Sequence, residues 1–205
     1  NAGNSIVSGG NFNVLIGNEA GTAITTGDQN VAIGYNSLIT EDTGSRSIAI
    51  GSSALKLQNA GDVNAYNIGI GHNSGINITT GVQNVLIGGL TGDAITTGDN
   101  NVAIGYETLT ANTVGDRSTA VGNFALKSQN PNSNADVYNV AVGHNAGGDI
   151  TTGTSNTFLG GLAGDALTNA SFNVAVGTLA LTTDTLGSRT VALGRGALTA
   201  QNFSS

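Results

Sequence analysis

A short aliphatic phrase closed by glycine, Val31-Ala32-Ile33-Gly34 in its plainest form, recurs eleven times in 205 residues. The closing residues are Gly17, Gly34, Gly51, Gly71, Gly88, Gly105, Gly122, Gly143, Gly160, Gly177 and Gly194. They stand 17 residues apart except for two intervals of 20 and 21. A fixed period of this kind dictates architecture before any local detail does. Each phrase is short, β-branched and bounded by turn residues, which is the pattern of a strand and not of a helix. The spacing predicts an all-β parallel β-solenoid of about eleven coils, each of about 17 residues with two short strands and two turns. At about 4.8 Å per coil this is a rod roughly 50 Å long, read as one repeat domain over residues 1–205.

Side chains alternate faces along a strand. The Val/Ile pair on either side of the central residue therefore points one way, and the central column points the other. That column reads Leu15, Ala32, Ala49, Gly69, Leu86, Ala103, Ala120, Ala141, Phe158, Ala175 and Ala192. The expectation is that the Val/Ile pair fills the coil and the Ala column faces out. An outward apolar stripe is seldom left wet, so it predicts self-association in parallel, with three chains favoured over two. Leu15, Ala32, Ala49, Leu86, Ala103, Phe158 and Ala175 are the candidate trimer-axis residues, with Leu15, Leu86 and Phe158 plugging the axis. At the head of each phrase stands Asn13, Asn30, Ser47, Asn67, Asn84, Asn101, Ser118, Asn139, Asn156, Asn173 or Thr190. Stacked amides there are predicted to hydrogen-bond along the rod.

The fourth residue after each glycine reads Gly, Leu, Leu, Gly and then repeats, so coils come in blocks of four with a period of 71 or 72 residues. Composition agrees with an ordered chain: 39% of residues are apolar and regularly placed, although only 9% are charged, and disorder does not place apolar residues so evenly. A net charge of −7 with six Lys and Arg argues against nucleic acid as a partner and against an anionic membrane surface. No apolar run approaches 18 residues, so no membrane insertion is expected. There is no cysteine and no methionine. The missing methionine reads as a piece of a longer fibrous protein, from which targeting signals have been removed.

At this point Ser47-Ile48-Ala49-Ile50-Gly51, with Ala54 three residues on, resembles the head repeat of trimeric autotransporter adhesins of the YadA type. Asn156-Thr157-Phe158-Leu159-Gly160, followed by Ala163-Gly164, is similar to repeats of phage-type tail fibres. The resemblance implies a left-handed parallel β-roll assembled as a homotrimer. It also implies an extracellular location, on a bacterial cell surface or a virion tail fibre, and a host-surface glycan or protein receptor as partner.

The two long intervals fall at the same place in successive blocks, Asn59 to Tyr66 and Asn130 to Tyr138. Insertions in a solenoid become loops on one face, which makes Asp62, Asn64, Tyr66, Asp136 and Tyr138 the ligand-binding loop candidates. His72 and His144 occupy equivalent positions and read as solvent-facing or hydrogen-bonded. Arg46, Arg117 and Arg189 recur one block apart with Asp42, Asp116 and Asp184 nearby, a pattern expected to form ion pairs between coils or chains.

No catalytic residues, cofactor or metal site are expected. No carboxylate pair is marked as acid and base, and there is no phosphate loop, nucleophile elbow or calcium repeat. A hexapeptide acyltransferase needs three hexapeptide units per coil, and Thr22 and Lys56 break that pattern. The expected function is a structural and adhesive fibre segment that displays receptor-binding loops. Two alternatives stay open: a passive shaft spacer, and an ice-binding solenoid built on the Thr-Thr-Gly ranks at 25–27, 79–81, 96–98 and 151–153.

Overall fold

The computed structural model describes residues 1–203, so the last two residues of the 1–205 domain lie outside the described residues. Eleven three-residue strands form one parallel sheet in strict sequence order. They are β1 (Val14–Ile16), β2 (Val31–Ile33), β3 (Ile48–Ile50), β4 (Ile68–Ile70), β5 (Val85–Ile87) and β6 (Val102–Ile104). Then follow β7 (Thr119–Val121), β8 (Val140–Val142), β9 (Thr157–Leu159), β10 (Val174–Val176) and β11 (Val191–Leu193). Every strand coincides with one phrase, and like columns pair: Val31 with Ile48, Ala32 with Ala49, Ile33 with Ile50. The molecule is a β-solenoid of about eleven turns.

Among the described residues one strand per coil forms, where two were expected. The return path is a chain of turns whose amides bond to the next coil instead, as in Gly21 N–H to the Ser37 carbonyl (2.9 Å) and Thr96 N–H to the Thr113 carbonyl (2.8 Å). Its corners place ordinary residues at positive φ, such as Leu109 (55°) and Arg117 (57°). An L-residue pays in strain there, and the bond to an identically bent neighbour above and below holds each corner in place.

The strand faces are the reverse of the sequence expectation. The central column is inside the coil: Ala32, Ala49, Leu86, Ala103, Phe158 and Ala175 are all 0% exposed, and Leu15 packs against the same core. The Val/Ile pair points outward, with Ile104, Val142 and Leu159 at 36%, 40% and 38% exposure. The candidate trimer-axis residues are therefore the coil interior of a single chain and lie on no axis between chains.

Volume explains why. The coil is slim, and the wall opposite the strand sends in Leu38, Leu55, Leu109, Leu126 and Leu181, all fully buried. Across from those leucines only Ala or Gly fits: a Cβ on Gly69 would stand 2.7 Å from Leu55 Cγ. Where two successive coils carry glycine on the opposite wall, one large strand residue fills the space of both, as Leu86 does for Gly75 and Gly92. Phe158 lies between Gly147 and Gly164, where added Cβ atoms would come within 2.6 Å and 2.5 Å of its ring. The block of four is thus a reciprocal exchange of volume across the interior.

The polar interior obeys the same rule. From Asn30 onward the Asn side chains at the head of the strands are buried and form the expected ladder, each Oδ1 accepting the N–H of the next rung, as from Asn101 to Asn84 (3.0 Å). The amide nitrogens donate to the facing turn, as Asn101 does to the Gly115 carbonyl (2.9 Å). Where the rung shortens to serine, a glutamine reaches across to it. Gln58 donates to Ser47 Oγ (2.8 Å) and to the buried Glu41 carboxylate (2.7 Å), and accepts from Asn67 (2.9 Å). Gln129 repeats this with Ser118 (2.9 Å) and Asn139 (3.0 Å). Gln129→Leu leaves the buried Ser118 hydroxyl without its partner and takes one of two acceptors from the Asn139 amide, which keeps the Gly153 carbonyl. It is expected to cost about 2–3 kcal/mol in denaturant unfolding. Adding Ser118→Ala should recover part of that loss.

Candidate functional site

The fold leaves the outward face of the sheet uncovered along its length, with Val14, Ile16, Ile104, Val142, Leu159, Val191 and Leu193 exposed. Two aliphatic columns run its full length, from Val14 and Ile16 to Val191 and Leu193, broken only by Thr119 and Thr157 in one of them. The pair flanks each buried Ala because a strand turns alternate side chains to opposite faces. On the side where the chain enters each strand, a corner residue at positive φ projects next to the face. These include Phe12, Arg46, Tyr66, Arg117, Tyr138, Phe172 and Arg189. On the exit side, just after each closing glycine, stand Tyr35, His72, Tyr106 and His144, all exposed, with Phe124 beside them.

The two inserted loops reach the entry edge. Asp62, Asn64 and Tyr66 are exposed, and so are Asp136 and Tyr138. Each loop is tied to the preceding coil by a parallel bridge, Ser45 with Asn64 and Asp116 with Asp136, while Ala65 and Val137 are buried as anchors. The loop candidates therefore share one edge. They form two copies of a site four strands, roughly 19 Å, apart, and not one convergent cluster.

The arginines lie on this edge too; Arg117 forms an ion pair between coils of the kind expected, with Asp136, while the other two turn to aromatic rings. Arg46 donates to the Tyr66 hydroxyl (2.9 Å) and to Gln29 (2.8 Å), with its guanidinium 5.7 Å from the Tyr66 ring. Arg189 stacks 5.6 Å from the Phe172 ring. Arg117 is paired with Asp136, whose carboxylate also accepts from Tyr138 (2.9 Å). Of the aspartates expected to pair, Asp42 accepts from Thr25, and Asp116 accepts the Asp99 N–H (2.7 Å). Asp184 is buried, accepting the Gly187 N–H (2.9 Å). Burial raises the Asp116 carboxyl above the ordinary aspartate range; the Asp99 charge adds to this, against the lowering pull of the Asp99 amide and Arg117.

On the exit edge the histidines are exposed, as read from the sequence. His144 packs edge-on against Phe124 (5.6 Å, 78°), which packs edge-on against Tyr106 (5.8 Å, 88°), and Lys127 lies 5.3 Å from the Phe124 ring. This aromatic group was missed in the sequence, although Tyr106, Phe124 and His144 fall on successive strands at the same edge. The threonines of the Thr-Thr-Gly ranks hold coils together: Thr79 and Thr96 donate their hydroxyls to the carbonyls of Thr96 (3.2 Å) and Thr113 (3.0 Å).

Among the described residues there is no pocket and no group of three or more His, Cys, Asp or Glu able to hold a metal ion. What the surface offers is a long apolar plane with an aromatic and cationic border on each side. Comparison with protein-family models, with curated proteins and with solved structures finds no match to this chain.

Proposed function

We propose that the chain is a rigid structural and adhesive segment of an extracellular trimeric fibre, packed about its Val/Ile face and displaying its loops to a cell-surface receptor. The observation that carries the reading is the uncovered apolar plane along the whole sheet. It is roughly 50 Å long and, with its borders, roughly 15 Å wide, so it offers on the order of 750 Å² per chain. That matches one side of a standard protein interface. A face so narrow on so slim a coil closes best around an axis parallel to the rod, which favours three chains. The assembly proposed from the sequence is kept, with its contact surface moved from the Ala column to the Val/Ile pair. The resemblance to adhesin and tail-fibre repeats supports an extracellular setting and a glycan or protein receptor. A non-enzymatic role is part of the same reading.

Light scattering on a sizing column tests it. Three times the 20.3 kDa chain mass is the expected result, and a monomer at micromolar concentration would overturn the proposal. Ile104→Lys, which sets a charge in the middle of the plane, should weaken assembly at least about 100-fold, since a buried unpaired charge costs several kcal/mol. Circular dichroism of the variant should be unchanged, because Ile104 lies outside the coil.

A further inference from the structure

At β4, β7 and β8, in the middle of the rod, both edges carry an aromatic or cationic residue at the same height, whereas at β2, β3 and β6 only one edge does, with Tyr35, Arg46 and Tyr106. At β4 the entry edge carries Tyr66 and the exit edge His72; at β8 they carry Tyr138 and His144. Arg117 enters β7 beside the level at which Phe124 leaves it, with Tyr106 one strand below. At β5 and β9 both edges are small on the exit side, Gly89 and Gly161, and uncharged on the entry side, Gln83 and Ser155.

Symmetry gives this match a meaning. In any cyclic assembly whose axis runs along the rod, the entry edge of one chain meets the exit edge of the next, at equal height. In a two-fold assembly with the axis across the rod, like edges meet and heights are inverted.

Resting on the proposed packing about the Val/Ile face, we infer that Arg117 of one chain seats against the Tyr106–Phe124–His144 group of a second copy of this chain, fixing the chains parallel and in register. The guanidinium is half-exposed even with Asp136 beside it, its side chain 45% accessible, and an aromatic face is the surface to which such a cation is attracted. The aliphatic plane sets register only weakly, because its columns repeat at every strand except for Thr119 and Thr157 in one of them. A slip of one whole block would restore most of the border, but not this contact. The position of Phe124 is held by Ser53 in the preceding block and by Gly196 in the following one. Phe124 therefore marks the middle block within this contact.

The chain has no cysteine, so introduced cysteines report the register. Within one chain, residues 117 and 124 flank the same extended strand and are too far apart to bridge. Cysteines are placed one or two coils away, so that Arg117 and its aromatic partners stay in place. Gln83 and Gly89 flank β5 at one height and, like 117 and 124, cannot bridge within a chain. The assembled protein carrying Gln83→Cys and Gly89→Cys is oxidised mildly and run on a denaturing gel. Bands at two and three chain masses are expected. The pair Gln83→Cys with Gly161→Cys reports a one-block slip, and Asn100→Cys alone, at the central strand, an antiparallel arrangement. Neither should link, but adding Phe124→Ala should let the slip pair link. Linking in either of those variants with Arg117 and Phe124 present, an intact oligomer with no link at 83–89, or a slip pair that stays unlinked once Phe124 is removed, overturns the inference and leaves the fibre proposal standing. A monomeric parent protein overturns both.

Discussion

Gly105→Ala is expected to unfold the middle of the rod, at a cost of about 4 kcal/mol or more. Gly105 closes the sixth phrase at φ 138°, a region that only glycine enters without strain of about 1–3 kcal/mol. Its Cα faces the backbone of the next coil. An added Cβ would lie 2.7 Å from the Gly122 carbonyl carbon and 2.7 Å from Thr108 Oγ1. Neither can retreat, because Gly122 N–H is bonded to the Ile104 carbonyl (2.7 Å) and Thr108 donates to the Gly122 carbonyl (2.7 Å). Overpacking a rigid contact adds about 1–3 kcal/mol. Solenoids open locally, so amide hydrogen exchange at strands β6 and β7 is the measurement to make. Protection there as high as in the parent would show that the coil spacing can relax and that the stacked glycines are not required.

Phe158→Ala is the second large effect, about 4 kcal/mol. Among the described residues Phe158 is the bulkiest fully buried side chain, and its ring occupies the space that Gly147 and Gly164 leave open. Alanine would leave that space empty, since backbone stacked on both sides cannot collapse into it. Phe158→Leu should cost only about 1–1.5 kcal/mol, because Leu15 and Leu86 fill the equivalent place in the other blocks and a near-isosteric swap is tolerated. Urea unfolding measures both variants, and mass in solution locates the loss. A coil-interior Phe158 lowers stability and leaves the mass of the folded protein unchanged. A drop in mass with stability intact would return Phe158 to a chain–chain axis.

The contrast shows what the sequence could and could not tell. Each strand, its parallel pairing and the Asn ladder were legible, because a glycine-closed aliphatic phrase at a fixed period permits little else. Which strand face is inside was not legible from alternation, which defines two faces without ranking them. Aliphatic size pointed to the Val/Ile pair, and that was misleading. The decisive signal is relational. Asn101 and Ala103 are two residues apart and share a face, so an outward Ala column would have left the Asn ladder outside as well. Large residues in the Ala column also appear where the opposite wall has glycine, as with Phe158 beside Gly147 and Gly164.

The return path was misread for a different reason. Residues such as Leu109 and Arg117 take positive φ against their own preference, and only stacking between coils enforces it. The loops were placed correctly from the interval lengths. Their arginine partners were not, since Arg46 and Arg189 chose aromatic faces over the nearest aspartates in sequence.

The exchange of volume across the interior also makes this molecule a ruler with fixed graduations. Removing the fourth coil of a block would set Leu55 against Leu86, and removing the first would leave Gly75 with only alanine beside it. Removing the second or third keeps the packing but takes Glu41 or Gln58 from the buried network. Removing four rejoins like with like. Such a rod lengthens or shortens in steps of 71 or 72 residues, roughly 19 Å each, and whatever it carries at its edges is delivered at multiples of that distance.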